Sequence, residues 1–110
     1  MTSVQPKDDV VIRRFLEKIA GLRDRIARIV LFGSRARGDH KPWSDYDVLL
    51  LVDKRDQPLV DHLYDAVVEV ENDLFCDVSL KIIAEAEWAR RRQLGSRFVA
   101  NVLREGVILG

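Results

Sequence analysis

A mixed α/β fold, with one small mixed sheet flanked by helices, is the architecture this sequence predicts, and three observations predict it. Short runs rich in β-branched and aromatic residues (28–33, 45–53, 75–83) alternate with stretches of helical apolar spacing (8–20, 58 to about 73, 85–93, 97–104). The composition, 47% hydrophobic and 33% charged, is that of a globular chain. The length of 110 residues suits one compact domain over 1–110 with a real core.

Each element has a local reason. Asp8 and Asp9 precede Val10, Val11, Ile12, Phe15, Leu16 and Ile19, an apolar helical stripe with acids at its N-terminal end, where the helix dipole favours them; Gly21 is the expected stop. Arg28 to Gly33 reads as a buried strand. Ser34 has the form of an N-cap for a helical turn, Arg35-Ala36-Arg37, closed by Gly38, and Asp39 to Ser44 is a loop. Asp45 to Asp53 is the clearest strand, followed by a charged turn, Asp53 to Asp56. From Pro58, Leu59, Leu63, Ala66, Val67 and Val70 recur at helical spacing. Phe75 to Ile83 alternates as a strand, Glu85 to Gln93 is a charged helix, and Ser96 caps a last helix, Arg97 to Arg104. Val107 to Leu109 is an apolar tail free to pack or to pair.

Charge and cysteine usage exclude several classes. Eighteen Lys and Arg balance eighteen Asp and Glu, which argues against a dedicated nucleic-acid surface or a polybasic membrane anchor. The single cysteine, Cys76, cannot form an internal disulfide. No apolar run reaches the roughly eighteen residues of a membrane span, and Met1 to Lys7 lacks a signal-peptide core, so no membrane association and a cytoplasmic location are expected.

The chemistry concentrates in Gly33-Ser34-Arg35-Ala36-Arg37-Gly38 and, after a short loop, Ser44-Asp45-Tyr46-Asp47. Asp45 and Asp47 are two apart on a strand, so their side chains leave the same face. Two carboxylates so placed repel unless exposed or bridged by a cation, and oxygen-only donors favour a hard one such as magnesium. In the third strand, Cys76, Val78, Leu80 and Ile82 face one way and Asp77, Ser79 and Lys81 the other. If that strand neighbours 45–53, Asp77 joins the first two acids, and the three could hold two divalent ions about 4 Å apart, an arrangement suited to phosphoryl transfer. Gly33 lets backbone approach a ligand closely, and Ser34 opens a helical turn whose N–H groups and hydroxyl suit an anion. Arg35 and Arg37 add positive charge and are read as nucleotide-binding, although residues two apart on a helix diverge, so that at most one of them reaches phosphate directly. A phosphate cradle beside a metal cage is what a nucleoside triphosphate requires.

These segments resemble the signature of the DNA polymerase beta-like nucleotidyltransferase superfamily, and more closely that of the minimal nucleotidyltransferases (MntA-type antitoxins). The resemblance covers nearly the whole chain, including Phe75-Cys76-Asp77-Val78-Ser79-Leu80 and the closing Val102-Leu103-Arg104-Glu105-Gly106-Val107. It implies the polymerase beta-like nucleotidyltransferase fold. It implies that Gly33 and Ser34 are the triphosphate-binding pair, that Asp45 and Asp47 bind magnesium, and that Asp77 completes the catalytic metal site and helps deprotonate the acceptor hydroxyl. Arg35 and Arg37 match positions that are often basic. It further implies an adenylyltransferase that uses ATP and two magnesium ions. Its acceptor would be a tyrosine of a cognate HEPN-domain toxin, in a type VII toxin–antitoxin pair. A non-catalytic antitoxin that occludes its partner, and nucleotidyl transfer to a small molecule, are the alternatives. No separate acceptor-binding domain is expected, so the acceptor would be recognised by this domain or by a partner chain.

Other residues carry weaker signals. Arg90, Arg91 and Arg92 read as a solvated helix face. Trp43 either borders the nucleotide pocket or covers the core, and Trp88 packs. His40 lies in the active-site loop, but neither it nor His62 has partners at zinc-site spacing. Cys76 packs with Val78 and Leu80, and Phe98, Val99, Val102 and Leu103 fill either the core or a partner surface.

Overall fold

Residues 6–110 are described by a computed structural model, and in it the apolar run after Asp45 becomes the central strand. The chain forms α1 (Val10–Lys18), β1 (Ile26–Phe32), α2 (Ser34–Arg37), β2 (Tyr46–Val52), α3 (Gln57–Leu74), β3 (Val78–Ala84), α4 (Glu85–Gln93), α5 (Arg97–Glu105) and β4 (Val107–Ile108). Two 3-10 turns, Pro6–Asp8 and Ala20–Arg25, flank α1. Among the described residues the sheet has four strands in the order β3-β2-β1-β4. β1 runs antiparallel to β2 and β4, while β2 and β3 are parallel and joined by α3, the kind of crossover a parallel pair needs.

The sheet is covered on both faces, which is why 48–52 is continuously apolar instead of alternating. On one face Leu31, Val48, Leu50, Val52, Leu80 and Ile82 pack with Ile12 and Phe15 of α1 and Leu63, Val67 and Val70 of α3. The other carries a smaller cluster of Val30, Leu49, Leu51, Ile83 and Val102, edged by Phe32, Trp88 and Phe98. Trp88 and Phe98 meet edge to face, as do Phe32 and Phe98. Trp88 therefore packs as expected. Phe98, Val99 and Val102 turn inward, whereas Leu103 stays half exposed. Cys76 packs against the larger cluster. No helix among the described residues is long and apolar enough to cross a membrane.

The element boundaries differ from the sequence expectation in instructive places. The first helix is shorter than 8–20: Asp9 is its N-cap, accepting from the amides of Val11 (2.8 Å) and Ile12 (3.3 Å), and α1 ends at Lys18 before a 3-10 turn that spans Gly21. The first two strands run 26–32 and 46–52. The third starts at Val78, not Phe75, because α3 continues to Leu74 and Phe75 takes a left-handed conformation (φ 51°) at its end. The apolar tail does pair: Val30 opposes Ile108 and Leu31 opposes Val107 across β1 and β4.

Candidate active site

The N-cap of α2 is Gly33 and not Ser34, which is the first helical residue. The Gly33 carbonyl accepts from the amides of Ala36 and Arg37, both at 3.1 Å, and the amide of Gly38 donates to the Ser34 carbonyl at 2.9 Å. The reason lies in the backbone. Gly33 has φ 73° and ψ −158°, a conformation open to glycine and costly for serine. A Cβ there would also overlap Oδ2 of Asp47. The turn is thus pressed directly against a strand carboxylate.

β2 and β3 are neighbours, as the three-acid arrangement requires. Tyr46 aligns with Val78 and Asp47 with Ser79, and the Tyr46 amide donates to the Asp77 carbonyl at 3.0 Å. Continuing that register by one residue sets Asp45 level with Asp77, and alternation puts Asp45, Asp47 and Asp77 on the face that also bears Leu49 and Leu51. Asp45 and Asp77 are exposed and Asp47 is half-buried. The side chains do not converge further: among the described residues, no three His, Cys, Asp or Glu groups stand close enough to hold a metal ion. Like charges sharing a face repel, so such groups draw together around a cation and spread without one.

Asp47 feels this environment most. Burial pushes its carboxyl above the ordinary aspartate range, and the neighbouring charge of Asp45 pushes the same way. Lys81 and Arg37 oppose the shift with positive charge. Lys81 was not singled out from the sequence, although its place on the Asp77 face of an alternating strand was the available signal.

The two arginines of the turn diverge as their spacing requires. Arg37 reaches Asp39 at 3.2 Å and Glu105 at 3.3 Å, tying α2 to the end of α5, a link the sequence did not suggest. Arg35 turns to the 41–44 loop, donating to the carbonyls of Ser44 (3.0 Å) and Pro42 (3.1 Å), with its guanidinium carbon 3.9 Å from the centre of the Tyr46 ring. Tyr46 in turn donates to Asp9 at 2.9 Å, and burial followed by this carboxylate pushes its hydroxyl well above the usual tyrosine range. Trp43 is 78% exposed, so it does not cover the core. His40 and His62 are exposed. Arg90 and Arg91 both bond Glu87 on their own helix, at 2.8 and 3.0 Å, consistent with a solvated face.

Three comparisons to known proteins place the chain as a whole. The family model described as nucleotidyltransferase domain matches residues 9–105. A Methanocaldococcus jannaschii protein named "Putative protein adenylyltransferase" is 33% identical over 105 residues, which are 93% of this chain and 97% of that protein. A solved structure described as a "putative minimal nucleotidyltransferase" superposes with a TM-score of 0.57 at 29% identity, covering 96% of this chain and 98% of that one. A chain from the complex of an MNT antitoxin with tri-AMPylated Shewanella oneidensis HEPN toxin shares the fold, with a TM-score of 0.52 at 19% identity over 92% of this chain and 72% of that one. The chain is therefore a member of the nucleotidyltransferase domain family.

Proposed function

We propose that this chain is a magnesium-dependent adenylyltransferase, a single domain acting in the cytoplasm. It moves AMP from ATP to a hydroxyl of a partner protein. We further propose that the acceptor is a tyrosine of a cognate HEPN toxin, neutralised by this antitoxin through the modification. The observation that carries the reading is the placement of Asp45, Asp47 and Asp77 on one face of parallel neighbours, against the Gly33 turn. The archaeal relative's name supports a protein acceptor, and the AMPylated HEPN toxin in the fold neighbour's complex supports the partner class.

Asp45, Asp47 and Asp77 are hard oxygen donors of the kind magnesium takes, and they would hold two ions. Bound magnesium supplies neutralisation of the triphosphate charge. The remaining work belongs to the chain. Gly33 and Ser34 seat the triphosphate, with the Ser34 hydroxyl as a donor. Arg37 and Lys81, whose charges already act on Asp47, add positive charge beside it. Arg35 braces the loop that leads into Asp45. Asp77 takes the proton of the acceptor hydroxyl. The acceptor oxygen then bonds to the α-phosphorus as the bond from that phosphorus to the bridging oxygen breaks, and pyrophosphate leaves with the electron pair. Positioning and charge neutralisation provide the acceleration.

The test is co-expression with a candidate HEPN partner, followed by intact mass measurement and labelling with α-labelled ATP. The expected result is a mass gain in whole AMP units on a tyrosine, abolished in the Asp45→Asn/Asp47→Asn double variant with its circular dichroism unchanged. Label transfer by that double variant would refute the metal assignment. A tight complex with no mass gain would replace transfer by occlusion.

A further inference from the structure

Trp43 is the largest side chain that the fold leaves outside both apolar clusters, and it is 78% exposed. Leaving so large an apolar surface in water forgoes burial that would stabilise the fold, which is tolerable where a ligand covers it. The backbone around it is braced. The Ser44 amide donates to the Lys41 carbonyl (3.1 Å) and the Lys41 amide to the Ser44 hydroxyl (2.8 Å), closing a turn with Pro42 and Trp43 between. Arg35 then bonds the carbonyls of Pro42 and Ser44, one on each side of Trp43. The same guanidinium lies over the Tyr46 ring, and Tyr46 is buried and anchored to Asp9. A chain of contacts thus fixes the turn to the core while leaving the indole free.

The place of this turn matters as much as its rigidity. It is held by α2, which follows the Gly33 turn, and it ends at Ser44, so that Trp43 is two residues from Asp45. Triphosphate seated at Gly33–Ser34 and reaching Asp45 would lie beside the segment that leads into β2, which carries Trp43 two residues before that acid. A flat π-system at that point suits a flat π-ligand, and a braced aromatic gives up little conformational entropy on binding one.

We infer that Trp43 is the stacking platform for the base of the bound nucleotide, with Arg35 as the positioning residue that holds it out. The inference rests on the nucleotidyltransferase reading above. Stacking reads the π-face and not the base edge, so purine nucleotides should bind more tightly than pyrimidine ones, with little distinction between ATP and GTP.

The experiment uses Trp88→Phe as background, which leaves Trp43 as the only tryptophan of the two in the chain. A non-hydrolysable ATP analogue with magnesium should quench Trp43 emission saturably. By calorimetry, Trp43→Ala should weaken analogue binding roughly tenfold while Trp43→Phe stays near the parent, and inorganic tripolyphosphate should bind all three alike. Equal analogue affinity in Trp43→Ala and the parent would overturn the inference, as would the same loss for tripolyphosphate. A loss in Phe75→Ala instead, at the other exposed aromatic near the acids (94% exposed), would move the platform there and overturn it too. Unchanged nucleotide binding with loss of a protein partner would make Trp43 a docking residue instead. If neither the analogue nor tripolyphosphate binds the parent, the nucleotide reading falls and this inference falls with it.

Discussion

The two ends of β2 carry the same chemistry in opposite electrical settings. At its start, Asp45 and Asp47 share a face, and burial together with Asp45 drives the Asp47 carboxyl upward. Past its end, Asp53 and Asp56 share one arginine: Arg25 donates to Asp53 at 2.9 Å and to Asp56 at 2.7 Å. Hydrogen bonds from Arg25 hold both of those carboxyls below the ordinary range. Asp56 also caps α3, accepting from the Leu59 amide at 3.0 Å. One pair of acids steadies the fold and the other burdens it. A costly arrangement of acids at one end, with a satisfied one at the other, is the contrast expected if the first end is the proposed site.

The largest expected effect breaks the proposed site. Asp47→Asn should lower AMP transfer by roughly a hundredfold or more, measured with α-labelled ATP. Its unfolding midpoint at neutral pH should hold or rise, because the variant removes a half-buried charge facing a like charge. A lower midpoint would contradict the repulsion account. Next come the glycines. Gly33 (φ 73°) and Gly38 (φ 87°) both need positive φ, but only a Cβ at Gly33 meets a neighbour, the Asp47 carboxylate. Gly33→Ala should cost about 2 kcal/mol or more and abolish transfer, whereas Gly38→Ala should cost about 1 kcal/mol, both by denaturant melts. Equal costs would mean that the Gly33–Asp47 approach is not tight.

Smaller effects test what joins the two ends to the helices. Tyr46→Phe removes the bond to Asp9 and should cost about 1 kcal/mol, with the loss localised to α1 by amide exchange. The smallest effect is the pH contrast between the two pairs. The raised pKa of Asp47 makes its contribution greatest below its unfolded pKa, and that contribution is lost as pH rises through the folded value. The lowered values of Asp53 and Asp56 give stability above their unfolded pKa that is lost as pH falls through the folded ones. Asp56→Asn should therefore lower the melting midpoint at neutral pH and make no such difference in strong acid, and salt should shrink the neutral-pH effect because the half-buried Arg25 pairs remain open to solvent. A deficit that persists unchanged in acid would assign the role of Asp56 to its amide contact alone.

Much of this was legible from local pattern. The two-residue spacing of Asp45 and Asp47 put them on one face because strand alternation is a property of the backbone. The unbroken apolar run after them made 45–53 the clearest strand, though only the structure showed it covered on both faces. Asp77 was readable as a same-face acid from the alternation of Cys76, Val78, Leu80 and Ile82. Less legible were features set by a neighbour distant in sequence. Ser34 looked like a cap because serine favours that role, but the strand carboxylate packed against position 33 admits only glycine there. Arg35 was read as positive charge beside the Gly-Ser turn, and what the sequence did not show is that it braces a loop through carbonyls seven and nine residues away. The first helix ended early despite an apolar pattern that ran on to Ile19.

The sequence alone therefore determined the element types, the shared face of Asp45 and Asp47 and the presence of a glycine-serine turn, since each depends on residues within a few positions of one another. Tertiary structure decided which strands are neighbours, that β2 and β3 run parallel so that Asp45 and Asp77 stand level, and where Arg35, Arg37 and Trp43 point. Those outcomes depend on register and packing between segments tens of residues apart, where many pairings satisfy the same local pattern and only the assembled core selects among them.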